Sequence, residues 1–123
     1  MPGSIAILVI DDEENLRRTL AMILEREGYD VCMAGNVAEG RQYLQSGDFN
    51  LVFLDLKLPD ADGLTLLPEI RTMQPNTPVL ILTAHDKLEV AIEAVTHGAR
   101  DYMLKPVDPL LLIERVRQVL AEK

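Results

Sequence analysis

Apolar positions along this chain come in short unbroken runs, each followed by a stretch with helical rhythm. Residues 5–10, IAILVI, are apolar throughout, as expected for a strand covered on both faces. From 14 to about 27 the period becomes helical. Leu16, Leu20, Ile23 and Leu24 stand at i, i+4, i+7 and i+8, and Gly28 is a natural stop. DVCMA (30–34) reads as a second strand, and Asn36 as the cap of a helix over about 37–46 that ends at Ser46-Gly47. NLVFLD (50–55) is a third strand, and LKLPDADG (56–63) a loop punctuated by Pro59 and Gly63. LTLLPEIRTM (64–73) is helical, with Pro68 near its first turn, where a missing N–H costs little. PVLILT (78–83) is strand four, 86–97 a helix closed by Gly98, DYML (101–104) strand five, and 109–121 the last helix. Five strand–helix units in succession imply an α/β fold: a parallel, doubly wound sheet with helices on both faces.

Polar residues follow the strands in a systematic way. Asp11 and Asp12 come after strand one, Asp55 ends strand three, Thr83 ends strand four and Lys105 follows strand five. In open α/β sheets ligands bind outside the C-terminal strand ends, where the strand order reverses. If the order is 2-1-3-4-5, the reversal falls between strands one and three, and Asp11, Asp12 and Asp55 meet there. Three converging carboxylates need a counter-charge. Only oxygen ligands are on offer, which suits Mg²⁺. A metal-bound carboxylate beside a lysine and a hydroxyl is equipped for phosphoryl transfer, with the carboxylate as nucleophile. Asp11 and Asp12 could also simply favour the N-terminus of the first helix.

Charge and composition narrow the function classes. A net charge of −8 over 123 residues argues against a nucleic-acid-binding surface. Cys32 is the only cysteine, so there is no disulfide framework or cysteine metal cluster, in keeping with the cytoplasm; Cys32 itself reads as a small core residue. No apolar run is long enough to span a membrane, and the start lacks the basic region of a signal peptide. Residues 1–4 are expected to be frayed, and the length is that of one domain.

The segments ILVIDDE, LVFLDLKLPDADG, PVLILTAH and GARDYMLKP, in this order, resemble the receiver domain of bacterial two-component response regulators over essentially the whole chain. The string from Leu82 to Pro106 is most similar to receivers of nitrogen-regulation-type activators. The resemblance implies a flavodoxin-like (βα)5 fold with strand order 2-1-3-4-5. It makes Asp55 the phosphoacceptor, with Asp12 ligating Mg²⁺ directly, Asp11 mainly through water, and the backbone carbonyl of Lys57 completing the protein's share. It implies that Lys105 contacts the phosphoryl group and that the Thr83 hydroxyl moves to it, with small Ala84 leaving access. Tyr102 matches an aromatic that swings inward, though plain core is the other reading, and Lys105-Pro106 matches a cis peptide. Lys57 and His85 would line the mouth of the site and tune its access to water.

The implied function is a phosphorylation-dependent switch, not a turnover enzyme. It would be charged by a histidine kinase or phosphotransfer protein and would act through the surface of helix four, strand five and helix five. Leu112, Val116, Val119 and Leu120 form the core stripe of the last helix, which leaves Leu110, Leu111 and Ile113 off it or at its edge. These three are either contacts with the neighbouring helix or a patch for homodimerisation or for holding a following domain. The chain is expected to be a stand-alone receiver or the N-terminal piece of a longer regulator. Three alternatives are weaker. An aspartate-nucleophile phosphatase needs a second Asp where Lys57 stands. A flavin module would not put DDEEN against a phosphate. A receiver-like interaction domain without phosphorylation would have no need of the whole set.

Overall fold

The computed structural model describes residues 4–122, so residues 1–3 of the expected frayed start lie outside the described residues. The elements run β1 Ala6–Ile10, α1 Glu14–Arg26, β2 Asp30–Ala34, α2 Val37–Ser46, β3 Leu51–Asp55, α3 Leu66–Met73, β4 Val79–Thr83, α4 Leu88–Thr96, β5 Asp101–Leu104 and α5 Pro109–Ala121. All neighbouring strands are parallel, in the order β2-β1-β3-β4-β5. The direction of winding therefore reverses between β1 and β3, as the sequence led one to expect. Ile10 pairs with Leu54, so Asp11 and Asp55 leave the sheet side by side.

Each strand delivers alternate residues to opposite faces, and the interior divides accordingly. Leu8, Ile10, Val52, Leu54 and Ile81 pack with α2, α3 and α4, against residues such as Leu44, Leu66, Ile70 and Ala91. Ile7, Val9, Leu51, Phe53, Leu80 and Leu82 pack with α1 and α5, against Leu20, Leu24, Leu112, Val116 and Val119. Burying one large aliphatic side chain here stabilises the fold by roughly 1.5–3 kcal/mol. Cys32 is half-buried at the edge of the first cluster.

Helix ends follow local chemistry. Gly28 takes φ +93° after α1, and Gly98 takes φ +120° after α4. Those left-handed conformations cost a side chain with a Cβ far more than glycine. The Asn36 side chain accepts from Glu39 N at 2.8 Å, capping α2 as expected. Two helices start later than the periodicity suggests. A 3₁₀ turn, Gly63–Thr65, precedes α3 because the Asp62 side chain accepts from Leu64 N and tightens the entry. Another, His85–Lys87, precedes α4, whose N-cap Lys87 offers no side-chain acceptor. Pro68 occupies the third position of α3, among the donors that have no intrahelical partner.

Helix α2 is tied to its neighbour α3 in two places. Arg41 grips Glu69 through two hydrogen bonds of 2.8 Å. Buried Gln74, after α3, donates to Leu44 O at 3.0 Å and Gly47 O at 2.8 Å, and accepts from Phe49 N at 2.9 Å. The amide thereby satisfies carbonyls that the end of α2 leaves open.

Candidate functional site

The C-terminal ends of β1, β3, β4 and β5 open into a cleft of about 360 Å³ lined by Asp12, Asp55, Lys57, Thr83, Ala84 and Lys105, among others. Asp11 is fully buried at its base. Its backbone N–H continues the β1–β2 ladder to Ala34 O at 3.0 Å, and the guanidinium of Arg17 holds its carbonyl at 2.6 Å. Its Oδ1 accepts from Glu13 N at 2.9 Å. Asp12, one residue on, is exposed to the cleft. Asp55 is 5% exposed; its Oδ1 accepts from Lys57 N at 3.1 Å.

Lys105 supplies the counter-charge. Its Nζ lies 2.9 Å from Asp11 Oδ2, 2.9 Å from Glu13 Oε1 and 3.3 Å from Asp55 Oδ2. The contact to Asp11 Oδ2 is close but poorly aligned, so that buried oxygen has no proper hydrogen-bond donor. The lysine is fixed from behind, where its N–H donates to Thr83 O at 2.7 Å, and the Lys105–Pro106 peptide is cis. Burial disfavours its charge, but the close contacts with the carboxylates of Asp11, Glu13 and Asp55 outweigh that and raise its pKa above the usual lysine value.

Asp11, Asp12 and Asp55 each bring a carboxylate oxygen to within 4.8 Å of the others. Burial, and then the charge of Asp11, push Asp55 up to about 6; burial also raises Asp11, against the pull of Lys105. The Lys105 ammonium is shared among Asp11, Glu13 and Asp55, with Asp12 beside them, so these four carboxylates keep an excess of negative charge over the lysine that contacts them. That excess, the all-oxygen donor set and the under-satisfied Asp11 Oδ2 fit a hard divalent cation. A cation there would reverse the pressure on both aspartates, since a bound ion is the largest local charge.

The remaining predicted residues fall around this centre. Thr83 is buried and its hydroxyl donates to Ala84 O at 3.2 Å, while Ala84 is open to the cleft. Tyr102 is half-buried against the α2–α4 side of the core. Lys57 is exposed at the rim, and the side chain of His85 lies outside the described residues. Leu110 is 77% exposed, Leu111 is exposed and Ile113 half-buried, whereas Leu112, Val116 and Val119 face the core. Leu110 and Leu111 therefore face solvent on α5, and neither they nor Ile113 line the cleft.

Two features escape a linear reading. Glu14 lies in the first turn of α1 and pairs with Arg18 at 2.8 Å, but Glu13 makes no side-chain cap and turns to Lys105 instead. Glu13 stands at the N-cap position of α1, yet its carboxylate is spent on a lysine 92 residues away and not on the helix amides. Asp86 and Lys87 also line the cleft, carried there by the 3₁₀ turn before α4, which no periodicity announces.

Similarity to known proteins agrees with this geometry. A receiver domain protein (CheY-like) from Methanospirillum hungatei has a solved structure with a TM-score of 0.92 and 33% identity, covering 98% of this chain and 96% of that one. A response regulator protein from Burkholderia pseudomallei, solved with a phosphorylated aspartic acid, a calcium ion and citrate, has a TM-score of 0.85 and 33% identity, covering 97% of this chain and 70% of that one. The DNA-binding transcriptional regulator NtrC of a Bradyrhizobium species is 38% identical over 122 residues, 99% of this chain but 25% of its own length. The chain spans about half or less of the curated relatives it matches. The response regulator receiver domain model matches residues 7–117, and with the parallel sheet and acidic cleft already described, the chain belongs to the response regulator receiver domain family.

Proposed function

We propose that this domain is a Mg²⁺-dependent phosphorylation switch with Asp55 as its acceptor. The observation that carries the reading is the meeting of Asp11, Asp12 and Asp55 with Lys105 at the point where the sheet reverses. A histidine kinase or phosphotransfer protein would present a phosphohistidine at the cleft. An Asp55 oxygen attacks phosphorus as the phosphorus–nitrogen bond breaks, leaving an aspartyl phosphate and free imidazole. When bound, Mg²⁺ neutralises charge on the phosphoryl oxygens. Asp12 would hold it directly, Asp11 mainly through water, and the Lys57 carbonyl would complete the protein's ligands. Lys105, already 3.3 Å from Asp55, pairs with the transferred group. Lys57 and His85 at the rim set how readily water reaches it.

The switch needs an interaction that exists only after transfer. Thr83 can provide one by turning its hydroxyl from Ala84 O to the phosphoryl oxygens, with Tyr102 moving inward behind it. The helix–strand–helix face of α4, β5 and α5 then changes, and exposed Leu110 and Leu111 with Ile113 become the contact of a second copy. The domain is charged and discharged on itself and turns over no separate substrate. We place it in the cytoplasm as one receiver over 1–123, attached to or acting on an output that the relatives supply as a transcriptional regulator. Among the described residues no helix is long and apolar enough to cross a membrane.

The test is intact-mass spectrometry after incubation with acetyl phosphate and Mg²⁺. One added phosphoryl group is expected, absent when Mg²⁺ is chelated before the donor is added and absent in Asp55→Asn. No Mg²⁺-dependent gain overturns the proposal.

A further inference from the structure

The loop that follows Asp55 reaches across to a helix with which it shares no sequence neighbour. Asp60, at its tip, accepts from Val37 N at 2.9 Å through Oδ1 and from Ala38 N at 3.0 Å through Oδ2. These are the first two amides of α2, and with Asn36 holding Glu39 N, the start of the helix has its free donors satisfied largely by side chains. Both Asp60 bonds are charge-assisted. The two amides, together with nearby Arg41, hold the Asp60 carboxyl below its usual range. Helix α2 is a firm anchor, since Glu69 grips it at Arg41 and Gln74 holds its far end.

The other end of the same loop sits on the acidic site. Lys57 N donates to Asp55 Oδ1, Lys57 and Asp62 form an isolated antiparallel bridge, and Gly63 N donates to Leu56 O at 2.8 Å. The loop is thus closed at its base around Asp55 and Lys57 and clamped at its tip by α2. The carbonyl of Lys57 sits between these two fixings.

We infer that Asp60 is a positioning residue for the cation site, acting through the 56–62 loop to hold the Lys57 carbonyl and Asp55 in register with Asp11 and Asp12. This deepens the proposed function and rests on the reading of Asp11, Asp12 and Asp55 as a cation site. Asp60 touches none of the reacting groups, and its effect is felt as ordering of a ligand-bearing loop. Partners that orient ligands typically change metal affinity by about tenfold or more, and Asp60 acts one step further out, at the low end of that range.

The test is Mg²⁺ affinity of the chain by isothermal titration, with no phosphodonor present. Asp60→Ala is expected to weaken Mg²⁺ about tenfold, and Asp60→Asn, which keeps one acceptor oxygen, about threefold. Both variants remove the charge, so a purely electrostatic effect moves them equally, and equal losses overturn the inference. So does an Asp60→Ala affinity within about twofold of the parent, which leaves the parent's own Mg²⁺ binding and the cation reading intact. Absence of saturable Mg²⁺ binding by the parent overturns that reading and this inference together. Hydrogen exchange adds a readout that simple destabilisation does not imitate: Mg²⁺ slows exchange at Val37 and Ala38 in the parent, and this response is lost in Asp60→Ala.

Discussion

Gly63 lies directly against the carbonyl of Asp55. A Cβ built on it would stand 2.2 Å from that oxygen and 2.8 Å from the Leu56 Cα. Both obstacles are backbone, so neither can swing aside. Gly63→Ala must therefore push the 3₁₀ turn away from the end of β3. A loss of about 1–3 kcal/mol is expected by overpacking, measured by urea unfolding, together with a lower extent of Asp55 phosphorylation. Unchanged stability would mean that the loop is softer than its packing implies.

Glu13 competes with Asp55 for Lys105. At 2.9 Å against 3.3 Å, the exposed glutamate holds the ammonium at least as closely as buried Asp55 does. Glu13→Gln should free the lysine for the incoming phosphoryl group and raise the rate of phosphorylation by acetyl phosphate about two- to threefold, with little effect on stability, as expected for an exposed pair. A slower rate in stopped-flow or quench measurements would instead make Glu13 a contributor to the site.

The Arg41–Glu69 pair gives a pH signature remote from the cleft. Arg41 holds the Glu69 carboxyl below its ordinary value of 4.5. A carboxyl with a depressed folded-state pKa stabilises the protein fully above its unfolded value, and that contribution fades as pH falls through the folded value. Glu69→Gln should therefore lower Tm by about 2 °C at neutral pH, because the pair is largely solvated, and should leave Tm unchanged once the pH is below the depressed value. Thermal scans between neutral and strongly acidic pH measure both limits.

On the outer side of α5, Leu110 is the most exposed of the large hydrophobic residues described. Leu110→Lys combined with Ile113→Lys should abolish self-association of the phosphorylated domain, and Leu110→Lys alone, at the more exposed position, should leave the unphosphorylated fold as stable as before, within about 0.5 kcal/mol. Light scattering with and without phosphodonor reads this. Persistent association in the double variant would move the contact elsewhere.

How much of this was legible beforehand depends on the range of the contact involved. Strand β3 announces itself because Leu51 to Leu54 must be apolar on both faces, and α1 because Leu20 and Leu24 recur on one face. The acidic site was legible too, since Asp11, Asp12, Asp55, Thr83 and Lys105 each follow or end a strand and the winding order brings strand ends together. The turn before α3 was not, because a side-chain bond from Leu64 N to Asp62 competes with helix formation over a distance too short for periodicity to register. Nor was the partner of Glu13, which is 92 residues away, or the grip of Asp60 on α2, across 22 and 23 residues. Such contacts exist only once the sheet has brought distant segments together.

The split of the interior by the sheet has a mechanical consequence. Because Leu8 and Ile10 serve one compartment and Ile7 and Val9 the other, the helix pair α1 and α5 and the trio α2, α3 and α4 pack on opposite faces of the same strands. Close-packed interiors resist partial displacement, so a shift of one set is most easily accommodated when the other need not repack. Tyr102 borders the trio's compartment, while Leu112 and Val116 of α5 belong to the other. The proposed α4–β5–α5 face takes one helix from each compartment, so a change there has to be carried across the edge of the sheet at β5.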